Sequence, residues 1–388
     1  MDDDLDRLVS ELNQGVVPTV TRSMASADST LADSTLIESW LAIVRERDAS
    51  DLLLVAGTPP TIRSAGRLAR ISQDVLASDD IEAAVMPLVP SRLQDRYRSG
   101  EAIDIAFRLG GRGRFRMNLH RERGRAAAAI RALPLRIPRL QDLRFTHDIG
   151  LLARLPRGLV LIGGPTGSGK TTTLAALIAD INAREPRHII TVEDPIEYEH
   201  PHGQSVVEQI EIGIDARDFP TALRAAVRQA PDVIVVGEMR DPETMRIALS
   251  AAETGHLVFA TVHTTDVAAA VSRVADAFPN ERQNAIRQEL AMALAAVLTQ
   301  TLVPARTGGL VPMAELLVVS YGARQHVRKN ALHHLNQEIT ITRKAGSFTF
   351  EESLARLVHG GLIDRADAML RANHPEELDS LLNAARHS

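Results

Sequence analysis

The stretch LVLIGGPTGSGKTTTLAALIADIN, Leu159 to Asn182, constrains the fold more than any other part of this chain. Leu159 to Ile162 are all apolar, as in a buried strand, and Thr171 to Asn182 carries apolar residues at helical spacing. Between them Gly164, Pro165, Thr166, Gly167, Ser168, Gly169, Lys170 and Thr171 satisfy G-x-x-x-x-G-K-[ST] in the strand–turn–helix setting the pattern requires. Glycines let the backbone curl so that successive N–H groups face one anion, and the N-terminus of the following helix adds partial positive charge. In that chemistry Lys170 reaches the β- and γ-phosphates and the Thr171 hydroxyl helps hold Mg²⁺. Thr172 completes the candidate nucleotide-binding set. A fortuitous glycine-rich connection would not carry both flanks. The motif implies a nucleoside triphosphate, with ATP and Mg²⁺ as the expected cofactors.

A chain of 388 residues has length for two or three domains at about 150 residues each. With 45% hydrophobic and 24% charged residues, it can build substantial cores. The net charge of −5 argues against a dedicated nucleic-acid partner, although arginine is dense between Arg108 and Arg139. Zero cysteines exclude disulfides and thiolate zinc sites. No apolar run reaches the 18 or so residues of a spanning helix. The opening MDDDLDRLVSELN is too acidic for a secretory signal, and the ATP requirement points to the cytoplasm.

Residues 1–34 are poor in aromatics and read as a flexible extension, with room for a short helix at Asp4 to Leu12. Structure is expected near Ser34, where Leu36, Ile37, Trp40, Leu41 and Val44 fall at helical spacing. Strand-like segments at Asp51 to Val55, Thr61 to Ile71, Ala102 to Leu109 and Arg114 to Leu119, with a helix at Ile81 to Leu93, predict a small α+β domain over 35–135. A proline-stiffened linker, 136–148, follows. Beyond it strand and helix alternate over 149–305, with short apolar runs at His188 to Val192, Asp232 to Val236 and Leu257 to Val262. A helix is predicted from Glu281 to about Gln300, with Asn280 as its cap and Ile286, Leu290, Leu294, Val297 and Leu298 on one face. A hairpin across Thr307-Gly308-Gly309 and small helices at Phe348 to Leu357, Ile363 to Leu370 and Pro375 to Ala385 make 306–388 a mainly helical region.

Ligands of open α/β sheets bind at the carboxyl ends of the strands. The polar clusters that end the three later strands, Glu193 to Glu197, Gly237 to Arg240 and His263 to Thr265, should therefore converge on the phosphate loop. Phosphoryl transfer to water needs a held metal, a carboxylate to orient the nucleophile and cations for the leaving oxygens. Glu238 stands where that carboxylate belongs, with Gly237 in the place where many phosphate-loop enzymes carry aspartate. Glu193 joins Thr171 and Glu238 as a candidate metal ligand. His256 and His263 bracket one strand and should not share a face, so His263, at the carboxyl end, is the candidate phosphate sensor.

The series GPTGSGKTTT, ITVEDPIEY, LRAAVRQAPDVIVVGEMRD and AAETGHLVFATVHTTD resembles the Walker A, Asp box, Walker B and His box of secretion and type IV pilus motor ATPases, most closely those of the PilT-type retraction group. The resemblance runs from about Ile37 to Leu382. It implies a PAS-like N-terminal domain joined to a RecA-like ATPase domain with a helical C-terminal part, and ATP bound between the two domains. By motif position, Glu197 and Glu238 are implied as catalytic with Lys170. Arg224, Arg228, Arg114, Arg116 and Arg131 are implied as nucleotide-binding arginines. The family implies a homohexamer on the inner face of the cytoplasmic membrane, working on an inner-membrane pilus platform protein, with a paralogous pilus motor ATPase as a further partner. Pilus assembly, type II secretion and an accessory ATPase role are the alternatives. Pilus-extension and type II secretion ATPases carry a larger N-terminal region and often a four-cysteine zinc subdomain, which this chain lacks. Gly322 to Lys329, GARQHVRK, stands in for the AIRNLIRE-like retraction motif with its apolar Ile and Leu positions altered.

Overall fold

The computed structural model describes residues 31–64 and 66–384, with side chains from Leu36 onward, and divides into two units, Met1–Ala132 and Leu133–Ser388. The expected helix at Asp4 to Leu12 and most of the 1–34 extension lie outside the described residues. The first described helix, α1, spans Leu31–Glu46.

In unit 1, α1 buries Ile37, Trp40, Leu41 and Val44 of the predicted stripe, while Leu36 is exposed. The strands are β1 (Asp51–Val55), β2 (Thr61–Ser64), β3 (Arg67–Arg70), β4 (Ile103–Arg108), β5 (Arg114–Glu122) and β6 (Arg125–Ala132). They form one antiparallel sheet in the order β3-β2-β1-β6-β5-β4. Along β5, Phe115, Met117 and Leu119 enter the core while Arg114, Arg116 and Asn118 alternate onto the other face. The helix expected at Ile81 to Leu93 is instead α2 (Ser78–Val85), a single 3₁₀ turn and α3 (Ser91–Arg98). Pro87 and Pro90 lack the N–H a continuous helix needs, so the chain turns there.

Unit 2 is built on a seven-stranded sheet. Its strands are β7 (Gly158–Gly163), β8 (His188–Glu193), β9 (Val206–Glu211), β10 (Val233–Val236), β11 (Leu257–Val262), β12 (Leu294–Pro304) and β13 (Leu310–Val318), in the order β13-β12-β7-β11-β10-β8-β9. Only the β12–β13 pair is antiparallel. Helices are α4 (Lys170–Arg184), α5 (Phe219–Ala226), α6 (Pro242–Glu253), α7 (Val267–Asp276), α8 (Asn280–Ala293), α9 (Tyr321–Arg328), α10 (Leu335–Ile341), α11 (Phe350–His359), α12 (Arg365–Arg371) and α13 (Pro375–Ala384). Leu159 and Leu161 of β7 pack with the α5–α10 layer, whereas Val160 and Ile162 pack with Leu174, Leu177, Ile178 and Ile181 of α4. Burial on both faces is why these strands read as unbroken apolar runs.

Two further expectations are corrected. The helix predicted to reach Gln300 ends at Ala293, with Pro279 as its cap residue and Asn280 as its first helical residue. Leu294–Pro304 is a strand, pairing with β7 from Leu294↔Leu159 to Thr299↔Gly163 and with β13 on its other side. An irregularity between Leu294 and Ala296 slips the pleat by one residue, so Leu294 and Val297 face one core while Ala296 and Leu298 face the other. That slip imitates helical spacing. The division expected at 305/306 accordingly runs through the predicted hairpin, whose second strand completes the sheet; the helical part begins at α9. Within the expected linker, Leu140 and Phe145 pack against the unit 2 core.

Candidate functional site

The phosphate loop joins β7 to α4. Gly164, Gly167 and Gly169 all have φ between +80° and +152°, conformations L side chains rarely adopt. A Cβ on Gly164 would collide with Ser168 Oγ and the Gln300 carbonyl oxygen, so the curl closes only around glycine. Lys170, the first residue of α4, is buried, and its Nζ donates to the carbonyls of Gly164 at 2.7 Å and Pro165 at 3.0 Å. Burial holds its pKa below the ordinary lysine value, against the raising pull of the Glu238 and Glu197 charges. Thr171 is half-buried on the first turn of α4. Thr172 Oγ1 is 3.0 Å from the Tyr198 hydroxyl. Ser168 Oγ, Thr264 Oγ1 and Gln300 Oε1 are buried around this loop without a hydrogen-bond partner.

At the ends of β10 and β11, Glu238, Arg240 and His263 come together, and the Glu238 charge acts on Lys170 of the phosphate loop. Glu238 Oε2 accepts from Arg240 at 2.7 Å, and Glu238 Oε1 lies 3.3 Å from His263 Nε2. Burial pushes the Glu238 carboxyl up, but the hydrogen bond and charge of Arg240, with His263 beside it, outweigh burial and hold it below the usual range. The group is therefore an anion at neutral pH. Gly237 has a steric reason: a Cβ there would stand 3.0 Å from the Val192 oxygen and 3.2 Å from Glu193 Cα. His256 sits at the opposite end of β11, its Nδ1 2.9 Å from the Ala251 oxygen, so the two histidines are separated by the length of the strand.

The other predicted residues are distributed unequally. Glu197 is half-buried and lies near enough to Lys170 and Glu193 to act on both electrostatically. Glu193 is turned toward β9: its Oε1 accepts from Thr191 Oγ1 at 2.7 Å and from Gln209 Nε2 at 3.1 Å, and burial raises its pKa. Arg224 is exposed on α5 and paired with Glu243, and Arg228 is exposed in the turn after it. Arg116 pairs with Asp104 at 3.5 Å and Arg131 with Asp51 at 2.9 Å on one face of the unit 1 sheet, which Arg114 shares. No group of three His, Cys, Asp or Glu able to hold a metal occurs among the described residues. Mg²⁺ bound mainly by phosphate and water needs only one or two hard protein oxygens, and the Thr171 hydroxyl and the ionised Glu238 fit that donor set. Arg240, Gln300 and Thr264 carried no assignment from the sequence. The short spacing to Glu238 could have singled out Arg240.

The model of the type II/IV secretion system protein family matches residues 128–352. The type IV pilus retraction ATPase PilT of Pseudomonas aeruginosa is 38% identical over 88% of this chain and 99% of its own length. The chain belongs to this ATPase family, in its PilT-type retraction branch. The pilus ATPase PilU of the same organism is 34% identical over 90% of this chain and 92% of its own length. A crystal structure of the retraction motor PilT with bound ADP superposes with a TM-score of 0.79 at 38% identity, covering 88% of this chain and 98% of that one. DotB of Legionella pneumophila superposes with a TM-score of 0.72 at 26% identity, over 87% of this chain and 95% of that one. As a PilT-type ATPase, the chain combines an N-terminal β domain, a nucleotide-binding ATPase domain and a helical C-terminal part.

Proposed function

We propose that this chain binds ATP with Mg²⁺ on the phosphate loop and uses its hydrolysis to drive type IV pilus retraction. It works as a homohexamer in the cytoplasm, against the inner face of the membrane, on a pilus platform protein. The observation that carries the reading is the ionised Glu238, with Arg240 and His263 beside it at the carboxyl ends of adjacent strands, acting by its charge on Lys170 of the phosphate loop. Lys170 turns from the Gly164 and Pro165 carbonyls to the β- and γ-phosphates. Thr171 and Glu238 would hold a Mg²⁺ ion, which would supply charge neutralisation at those phosphates. Glu238 orients the attacking water, His263 reports on the phosphate next to it, and Glu197 sets the field around Lys170. Glu193 is left to fix β9 through Gln209 rather than to ligate metal. Arg114, Arg116, Arg131, Arg224 and Arg228 are assigned to the nucleotide by the family resemblance alone.

The test is a strain lacking this chain, complemented with the wild type or Lys170→Ala. Lost twitching with surplus surface pili, rescued by the wild type alone, is the expected result. Loss of all pili would replace retraction with assembly. The altered GARQHVRK stretch favours a second reading, an accessory ATPase that works beside a principal motor: α9 keeps only Ala323 and Val327 buried. Purified chain that hydrolyses ATP unaided would remove it.

A further inference from the structure

Gln300 follows Thr299, the last residue of β12 paired with β7, and its own backbone register partner is Ala314 of β13. Strands on both sides thus fix where its side chain starts. That side chain is buried, and its Nε2 donates to the Ser168 carbonyl at 2.7 Å, reaching across 132 residues of sequence into the phosphate loop. The assignment of the amide nitrogen to this contact is forced, because a carbonyl can only accept. Gly164 is wedged between Ser168 and the Gln300 backbone, and a Cβ on Gly169 would come within 3.3 Å of Nε2. The Ala314 N–H is in turn held by Ser353 Oγ of α11 at 3.2 Å, so the support behind Gln300 extends into the C-terminal helices.

We infer that Gln300 is a positioning residue for nucleotide binding: it sets the orientation of the Ser168–Gly169 peptide. A trans peptide is planar, so the Ser168 carbonyl and the Gly169 N–H point in opposite directions. Holding the carbonyl against β12 aims the Gly169 N–H into the curl of the loop, where a phosphate oxygen accepts it. Without the amide donor, Gly169, at φ +86°, is free to rotate that peptide and withdraw one donor from the cradle. Gln300 touches no reacting atom in this scheme. It acts on affinity and leaves the Glu238 chemistry in place.

The inference rests on the phosphate-loop reading, and the experiment separates the two. ATP turnover against ATP concentration, and ADP affinity by calorimetry, are measured with Mg²⁺ on the full chain for wild type, Gln300→Leu, Gln300→Met and Lys170→Ala. Both Gln300 variants should raise KM for ATP and Kd for ADP about tenfold, the size of one net hydrogen bond, with kcat at saturation within about threefold of wild type. Wild-type KM and Kd, or a fall in kcat at unchanged KM, would overturn the inference. Gln300→Met has nearly the wild-type length with neither charge nor donor, so it reads the same quantity should Gln300→Leu not fold. Wild-type ADP affinity in Lys170→Ala would bring down the phosphate-loop reading itself. Lost affinity in Lys170→Ala beside normal affinity in Gln300→Leu would bring down the positioning role alone.

Discussion

Replacing Glu315 by Gln should stabilise the ATPase unit at alkaline pH and leave it unchanged at acid pH. Glu315 lies on β13 opposite Thr299, buried, and its Oε1 accepts from the Val267 N–H at 2.7 Å and Thr299 Oγ1 at 3.0 Å. Burial pushes its carboxyl up to about 7 from an ordinary 4.5, with Asp266 and Glu351 adding to the rise and the two hydrogen bonds opposing it. Between those values the folded protein keeps a proton that the unfolded chain has released. Unfolding free energy therefore falls as pH rises: the contribution is complete below 4.5 and lost once pH passes 7. The difference corresponds to about 3 kcal/mol at pH 8.5. An amide keeps the accepting oxygen for Val267 and Thr299 and does not ionise. Urea denaturation of wild type and Glu315→Gln should coincide near pH 4.5 and separate by about 3 kcal/mol at pH 8.5, a shift of roughly 5–10 °C in Tm. Equal separation at both pH values would refute the reasoning, since a packing effect does not follow a titration.

Glu238→Ala should retain ADP and ATP affinity and lower kcat about 10²- to 10⁴-fold, measured by calorimetry beside steady-state turnover; an active variant would remove Glu238 from the chemistry. Gly237→Asp, which would give the chain the aspartate common elsewhere, should instead destabilise unit 2 by about 1–3 kcal/mol, because its Cβ presses on Val192 and Glu193. Thermal melting without nucleotide is the check, and an unchanged Tm would contradict the steric account.

The phosphate loop was legible because its chemistry is local. Each glycine, Lys170 and Thr171 have positions set within one turn between a strand and a helix, so spacing alone specifies them. The strands β8, β10 and β11 were legible for a related reason, since burial on both faces of a parallel sheet leaves a short unbroken apolar run. Glu238 and His263 followed from the rule that such strands deliver ligand-facing residues at their carboxyl ends. The β12 segment was not legible. Leu290, Leu294, Val297 and Leu298 fit a helical stripe, and only the edge of β7, brought alongside by folding, together with the slip at Ala295, turned them into a strand. Gln300 was lost with it, since its role depends on a loop 132 positions earlier in the chain. Ionisation, too, was decided only by the tertiary structure. Glu193, Glu238 and Glu315 are the same residue type. One is raised by burial and bound to β9, one is held anionic by Arg240, and one is lifted to about 7 inside the sheet, because desolvation and neighbouring charge act through space.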